Sequence, residues 1–132
     1  MRYFTFNLNG EEINMRLNSS ACEQIEKTYN CTLLDYVQQG SVTSIITLLQ
    51  HMRAGAEKNF TKNMAYGFYD ELVDNGYTIE KILMDIIYET LVVSGVISKE
   101  DLDNIKSERE KIKDMTDEEK KEMIEKRKNL QK

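Results

Sequence analysis

Proline is absent from the chain, so no pyrrolidine ring interrupts a helix anywhere along it. Together with a charged content of 31%, this favours a largely helical, soluble protein. No apolar run reaches the roughly 18 residues a membrane span needs. Basic charge is not in excess either. The formal net charge is −5, so the overall electrostatic footprint of a nucleic-acid binder is missing. Only two cysteines are present, Cys22 and Cys31, nine apart and without a CxxC pair. Reduced thiols in a cytoplasmic protein are the expected reading, ahead of a disulfide or a metal site. The start, Met-Arg-Tyr-Phe-Thr, leads directly into a strand pattern, and no signal peptide is expected.

The same poverty extends to chemistry. The single histidine, His51, has no second His or Cys at ligand spacing and reads as a polar helix residue. No Gly-rich phosphate loop, GxSxG or HExxH occurs. The carboxylates Asp70, Glu71, Asp74, Glu118 and Glu119 sit where exposed helix faces want charge. Phe60, Tyr66, Phe68, Tyr69 and Tyr77 form an aromatic group, but acidic neighbours oppose phosphate, so core packing is preferred to base stacking. No catalytic residue, cofactor or metal is expected, and the chain reads as a binding module rather than an enzyme.

What is present is a clear order of elements. Asn9-Gly10 is the strongest short hairpin signal, because a type I′ turn needs positive φ at both central residues. With those two as the loop, Phe6 faces Ile13 and Phe4 faces Met15. Phe4, Phe6, Leu8, Ile13, Met15 and Leu17 then share one face, while Tyr3–Arg16 and Thr5–Asn14 share the other. The open edges of such a ribbon invite strand addition, so self-association there is among the partner readings.

After Leu17 the period becomes helical. Ser19 or Ser20 is expected to cap ACEQIEKTYN, with Ala21, Ile25 and Tyr29, and also Cys22, inward. TLLDYVQQ ends at Gly40, and Ser41 caps VTSIITLLQHMRAG, whose inner positions are Val42, Ile45, Ile46, Leu49 and Met52. Thr61 opens a helix with Met64, Ala65, Phe68, Leu72 and Val73 as burial candidates, closed by Asn75-Gly76. The stretch 79–93, IEKILMDIIYETLVV, is the most apolar, leaving mainly Lys81, Asp85 and Glu89 on a polar side. It is expected to be the central core helix, or one that also meets another chain.

From Ser98 to Lys132, 22 of 35 residues are charged, 11 of each sign, so the whole −5 resides in residues 1–97. Ser98-x-x-Asp101 and Thr116-x-x-Glu119 read as helix starts. Their apolar stripe (Leu102, Ile105, Ile112, Met115, then Met123, Ile124 and Leu130) is too sparse to hold a bundle. The expected fold is therefore α+β and mostly helical. An N-terminal β-hairpin packs on a small bundle of about four to five helices in residues 1–97, and a charged helical arm follows in 98–132.

This order resembles that of a known family. "YFTFNLNGEEINMRL", the Ile25-Glu26-Lys27 step of "ACEQIEKTYN", "TLLDYVQQG", Asp70-Glu71-Leu72 with Asn75-Gly76, and Val93-Ser94-Gly95 are similar to the tail assembly chaperones of long-tailed phages and prophages of Gram-positive bacteria. The resemblance covers roughly residues 2–97; Asn30-Cys31 stands where those proteins usually have glycine. It implies a factor of the bacterial host cytoplasm, absent from the mature virion. Such a factor coats the helical, apolar tape-measure protein, keeps it soluble and helps recruit tail-tube subunits. It also implies a second, longer form made by ribosomal frameshifting. Within that picture Met84, Ile87, Tyr88 and Leu91 on the wide face of 79–93 are candidates for the partner surface, against the plainer reading that all four are core. The alternative function is a small cytosolic helical adaptor or regulatory protein, binding protein or, less readily, DNA.

Overall fold

The computed structural model describes residues 2–113. It is α+β, a two-stranded antiparallel hairpin followed by helices, and it divides into two units, Met1–Ser98 and Lys99–Lys132. The boundary falls one residue from the composition shift.

Strands β1 (Phe4–Leu8) and β2 (Glu11–Met15) pair in the expected register, Phe6 with Ile13 and Phe4 with Met15. Asn9 and Gly10 both have positive φ, 53° and 80°, which supplies the right-handed twist that a two-residue loop requires. The predicted apolar face is real but unevenly covered. Leu8, Ile13, Met15 and Leu17 are buried, whereas Phe4 and Phe6 are half-buried and stack on one another at 5.6 Å.

Helix α1 (Ser19–Tyr29) starts from Asn18 rather than from a serine cap. The Asn18 side chain is occupied elsewhere, its Oδ1 accepting from Arg16 Nε at 3.1 Å. Ile25 is its buried residue; Ala21 and Cys22 are half-buried, and Tyr29, expected inward, is exposed. Asn30 ends α1 in the left-handed region at φ 52°, the conformation a glycine would have supplied. Thr32 caps α2 (Leu33–Gln38), and Glu26 reaches forward to accept from the Leu33 N–H at 2.9 Å.

Ser41 caps α3 (Val42–Ala54) as expected. Every residue from Ser44 to Leu49 is buried, as is Met52, so α3 shares the centre of the bundle with the 79–93 stretch. Val42, on the first turn, points outward instead. Thr61 caps α4 (Lys62–Asp74), which buries Ala65, Phe68 and Leu72 but leaves Met64 and Val73 exposed, contrary to the sequence pattern.

The 79–93 stretch is continuous yet not uniform. It runs as α5 (Ile79–Ile82), a π turn (Leu83–Ile87) and α6 (Tyr88–Val93). In a regular α-helix, residues four apart drift around the axis by about 40° per step. The wider π turn rotates less per residue and cancels part of that drift. Lys81, Asp85 and Glu89 thereby stay in one file on the outside, with Asp85 exposed between buried Met84 and Ile86.

Three hydrogen bonds tie the hairpin and the two residues after it to the helices. The Arg16 N–H donates to the Met52 carbonyl at 2.9 Å, at the end of α3. The Leu17 N–H donates to Ser94 Oγ at 2.9 Å, just after α6. At the turn, Asn9 Nδ2 donates to Glu71 Oε1 of α4 at 2.8 Å. The hairpin is thus a lid bonded at both ends, which answers how a ribbon too small to be stable alone persists. In the second unit, α7 (Lys99–Lys113) begins one residue after Ser98, where the capping pattern placed it. The helix start expected at Thr116 lies outside the described residues.

Candidate protein-binding surface

The four residues singled out on 79–93 do not form a surface. Ile87 and Leu91 are fully buried, Tyr88 is 2% exposed and Met84 8%. Their wide apolar arc is used internally: α3 packs against the π turn and β1 against α6. The plainer core reading is the one the structure bears out.

An outward apolar seam exists instead on α4. Its inner residues Ala65, Phe68 and Leu72 follow i, i+3, i+7 and are buried. One position further along, Tyr66, Tyr69 and Val73 repeat the same spacing about 100° around the helix. Tyr66 is 47% and Val73 45% exposed, with Tyr69 half-buried between them. This is the spacing of a coiled-coil seam, presented to solvent over two turns. Exposed Lys62 stands one turn before it and exposed Asp70 and Asp74 on its far side, so an apolar strip is edged by both signs of charge. The aromatic group read as core is therefore split. Phe60 and Phe68 are core, and Tyr66 is surface.

The buried half of that group holds a cation. Arg53, at the end of α3, lays its guanidinium over Phe60 at 4.8 Å and Phe68 at 4.7 Å, and its Nη2 pairs with Glu57 at 2.7 Å. Phe68 in turn meets Phe60 edge-on at 6.4 Å and Phe6 of the hairpin at 6.5 Å. The arrangement packs α4 against α3.

Tyr36 stacks on Tyr29 at 4.4 Å, and burial pushes its phenol up to about 12. Its hydroxyl and that of Thr47 are both buried and lie together with the Tyr29 hydroxyl. His51 is held below its ordinary value, first by burial and then by the charge of Lys62. Cys22 lines an open cleft of about 640 Å³ with Asn18, Glu26 and Ser94; burial, reinforced by Glu26, raises its thiol and disfavours the thiolate. Cys22 and Cys31 are both free. Among the described residues no three His, Cys, Asp or Glu side chains come together as a metal site, and no helix is long and apolar enough to cross a membrane.

Comparison with known proteins adds no relative: no family model, curated protein or solved structure matches the chain.

Proposed function

We propose that this protein is a phage tail assembly chaperone, a binding protein of the host cytoplasm rather than an enzyme. In this reading it holds the helical tape-measure protein in solution until tail-tube subunits displace it. The observation that supports the reading is the outward seam of α4. A long apolar helix offers anchors at i, i+3, i+4 and i+7, and Tyr66, Tyr69 and Val73 present the matching spacing on a helix that is itself locked in place. Covering the exposed halves of Tyr66 and Val73 contributes about 1 kcal/mol each, so the seam is one weak contact among the several that a grip on the tape measure sums, and weak contacts leave it displaceable. A chaperone that must later be displaced needs that balance. Seven methionines in the chain are compatible with an adaptable contact, and Met64 lies exposed on the same helix.

The test is co-expression with the tape-measure protein of the virus or prophage that encodes the chain. Wild type is expected to keep the tape measure soluble and to co-purify with it. The double variant Tyr66→Asp, Val73→Asp is expected to fold, because both sites are surface, and to leave the tape measure insoluble. A folded double variant that solubilises the tape measure as well as wild type does removes the seam from the proposal. Failure of the wild type itself removes the function.

A further inference from the structure

The second unpartnered feature is the outer edge of β1, and it points to a second copy of this chain. In a two-residue hairpin, the closing pair Leu8–Glu11 exchanges hydrogen bonds, and bonded pairs then alternate along the ladder. Phe6–Ile13 and Phe4–Met15 are bonded pairs, so the backbone groups of Thr5 and Asn7 face away from β2. The outer edge of β2 follows the same alternation, and there the outward Arg16 N–H is taken by Met52. That edge is also crowded: at Gly55 a Cβ would stand 2.0 Å from the Arg16 carbonyl oxygen. It carries Glu11 and Glu12 as well. On the β1 edge, by contrast, the Thr5 and Asn7 backbone groups bond to no other group among the described residues, and both residues are exposed.

Edge strands that stay unpaired usually carry lysine, proline or another charge to discourage pairing. β1 reads Phe-Thr-Phe-Asn-Leu and carries none. In a chain with five excess negative charges, this uncharged edge is where two copies approach without facing like charges. We infer that β1 pairs antiparallel with β1 of a second copy, about a two-fold axis through Phe6. This register overlaps both strands over their full length. Thr5 and Asn7 of each copy exchange all four N–H and C=O groups with Asn7 and Thr5 of the other. On the core face Phe6 meets Phe6 and Phe4 meets Leu8, covering two rings that the single chain leaves half-buried. The product is a four-stranded sheet, β2-β1-β1-β2. Its outer edges are the β2 edges, each obstructed at Arg16, so assembly closes at two copies. The inference does not depend on the proposed function.

Two variants of the full chain test both the contact and its register. Thr5→Lys with Asn7→Lys sets lysine opposite lysine twice; Thr5→Lys with Asn7→Glu sets lysine opposite glutamate twice. Both alter only exposed side chains, and circular dichroism checks that both fold. In sedimentation equilibrium, wild type is expected to be a dimer with concentration-dependent dissociation. The lysine pair is expected to raise the dissociation constant about tenfold or more, and the lysine–glutamate pair to leave it at or below the wild-type value. A wild-type chain that stays monomeric up to about 1 mM overturns the inference. So does a lysine-pair variant that associates like wild type, or a lysine–glutamate variant that dissociates as the lysine pair does.

Discussion

Gly55→Ala separates helix propensity from packing more sharply than any other change in this protein. Gly55 follows α3 with φ −67° and ψ −20°, ordinary helical values that alanine adopts without strain. On propensity alone the substitution stabilises by up to about 1 kcal/mol. The surroundings reverse the sign. The new Cβ would lie 2.0 Å from the Arg16 carbonyl oxygen and 2.9 Å from its carbon, and both are backbone atoms that cannot swing aside. Reaching van der Waals distance requires the end of the hairpin to retreat by more than an ångström. The Arg16 N–H to Met52 bond spans the same gap at 2.9 Å and is lost or stretched. Overpacking of this kind costs about 1–3 kcal/mol and a hydrogen bond about 1 kcal/mol. The net expectation is a loss of about 2 kcal/mol, rising to about 3 if the neighbouring Leu17 to Ser94 bond goes too. Urea unfolding followed by circular dichroism measures it as a lower midpoint at unchanged slope. Gly67→Ala in α4 is the control, since a Cβ there meets nothing within 4 Å, and it is expected to gain about 1 kcal/mol. If Gly55→Ala is as stable as wild type or Gly67→Ala, the close docking of hairpin on α3 is refuted.

Ser94→Ala removes the acceptor of the Leu17 N–H and is expected to cost about 1–2 kcal/mol in the same urea assay; no change would show that water reaches that amide. At Arg53, methionine is expected to be tolerated better than alanine, because it fills the space between Phe60 and Phe68 and discards the buried Nε that lacks an acceptor. Arg53→Ala is expected to cost about 2–3 kcal/mol, and equal midpoints for the two variants would discount the ring contacts. His51 predicts a pH dependence. Its folded-state value lies below the ordinary 6.5, so below that pH the unfolded chain binds more protons than the folded one. Stability is complete above about pH 6.5 and falls as pH drops through the lowered value. Thermal melts from pH 7.5 to 5 should show that slope, and His51→Gln should flatten it.

The local elements were legible because their determinants are local. Asn9-Gly10, the alternation around it, and the caps Thr61 and Ser41 each act within a few residues, and each sits where the pattern put it. The structure departs from the pattern where a contact outside it competes. Ser19 and Ser20 look like caps, but the chain enters α1 from a strand whose Arg16 claims Asn18, and that geometry sets the helix start. The π turn escaped because nothing in LMDII marks it; it answers to packing against α3, not to its own residues. The Arg53 sandwich was equally hidden, since Phe60 and Phe68 lie on the far side of a loop from it.

The residue pattern put the candidate surface on buried side chains for a related reason. A helical wheel counts how much of a helix is apolar, which tells how many neighbours it has and not which chain supplies them. The 79–93 stretch has the widest arc, and the fold covers its central part, leaving Ile79 exposed, so Met84, Ile87, Tyr88 and Leu91 are spent inside. Helix α4 has a narrower arc made of two parallel seams, and only the seam of Ala65, Phe68 and Leu72 is filled within the described residues. The unfilled seam of Tyr66, Tyr69 and Val73 is the better candidate for a partner, although α4 is the less apolar helix. The relevant quantity is apolar arc minus the arc the fold consumes, and only the first term can be read from the residues alone. Applied to the hairpin, the same subtraction leaves the β1 edge with Phe4 and Phe6 half-covered and the β2 edge engaged by α3 at Arg16. The two remainders lie on different elements, α4 and β1. A contact with a helix and a contact with a second copy therefore use separate residues, and substitutions at Tyr66 and at Thr5 should act independently of one another.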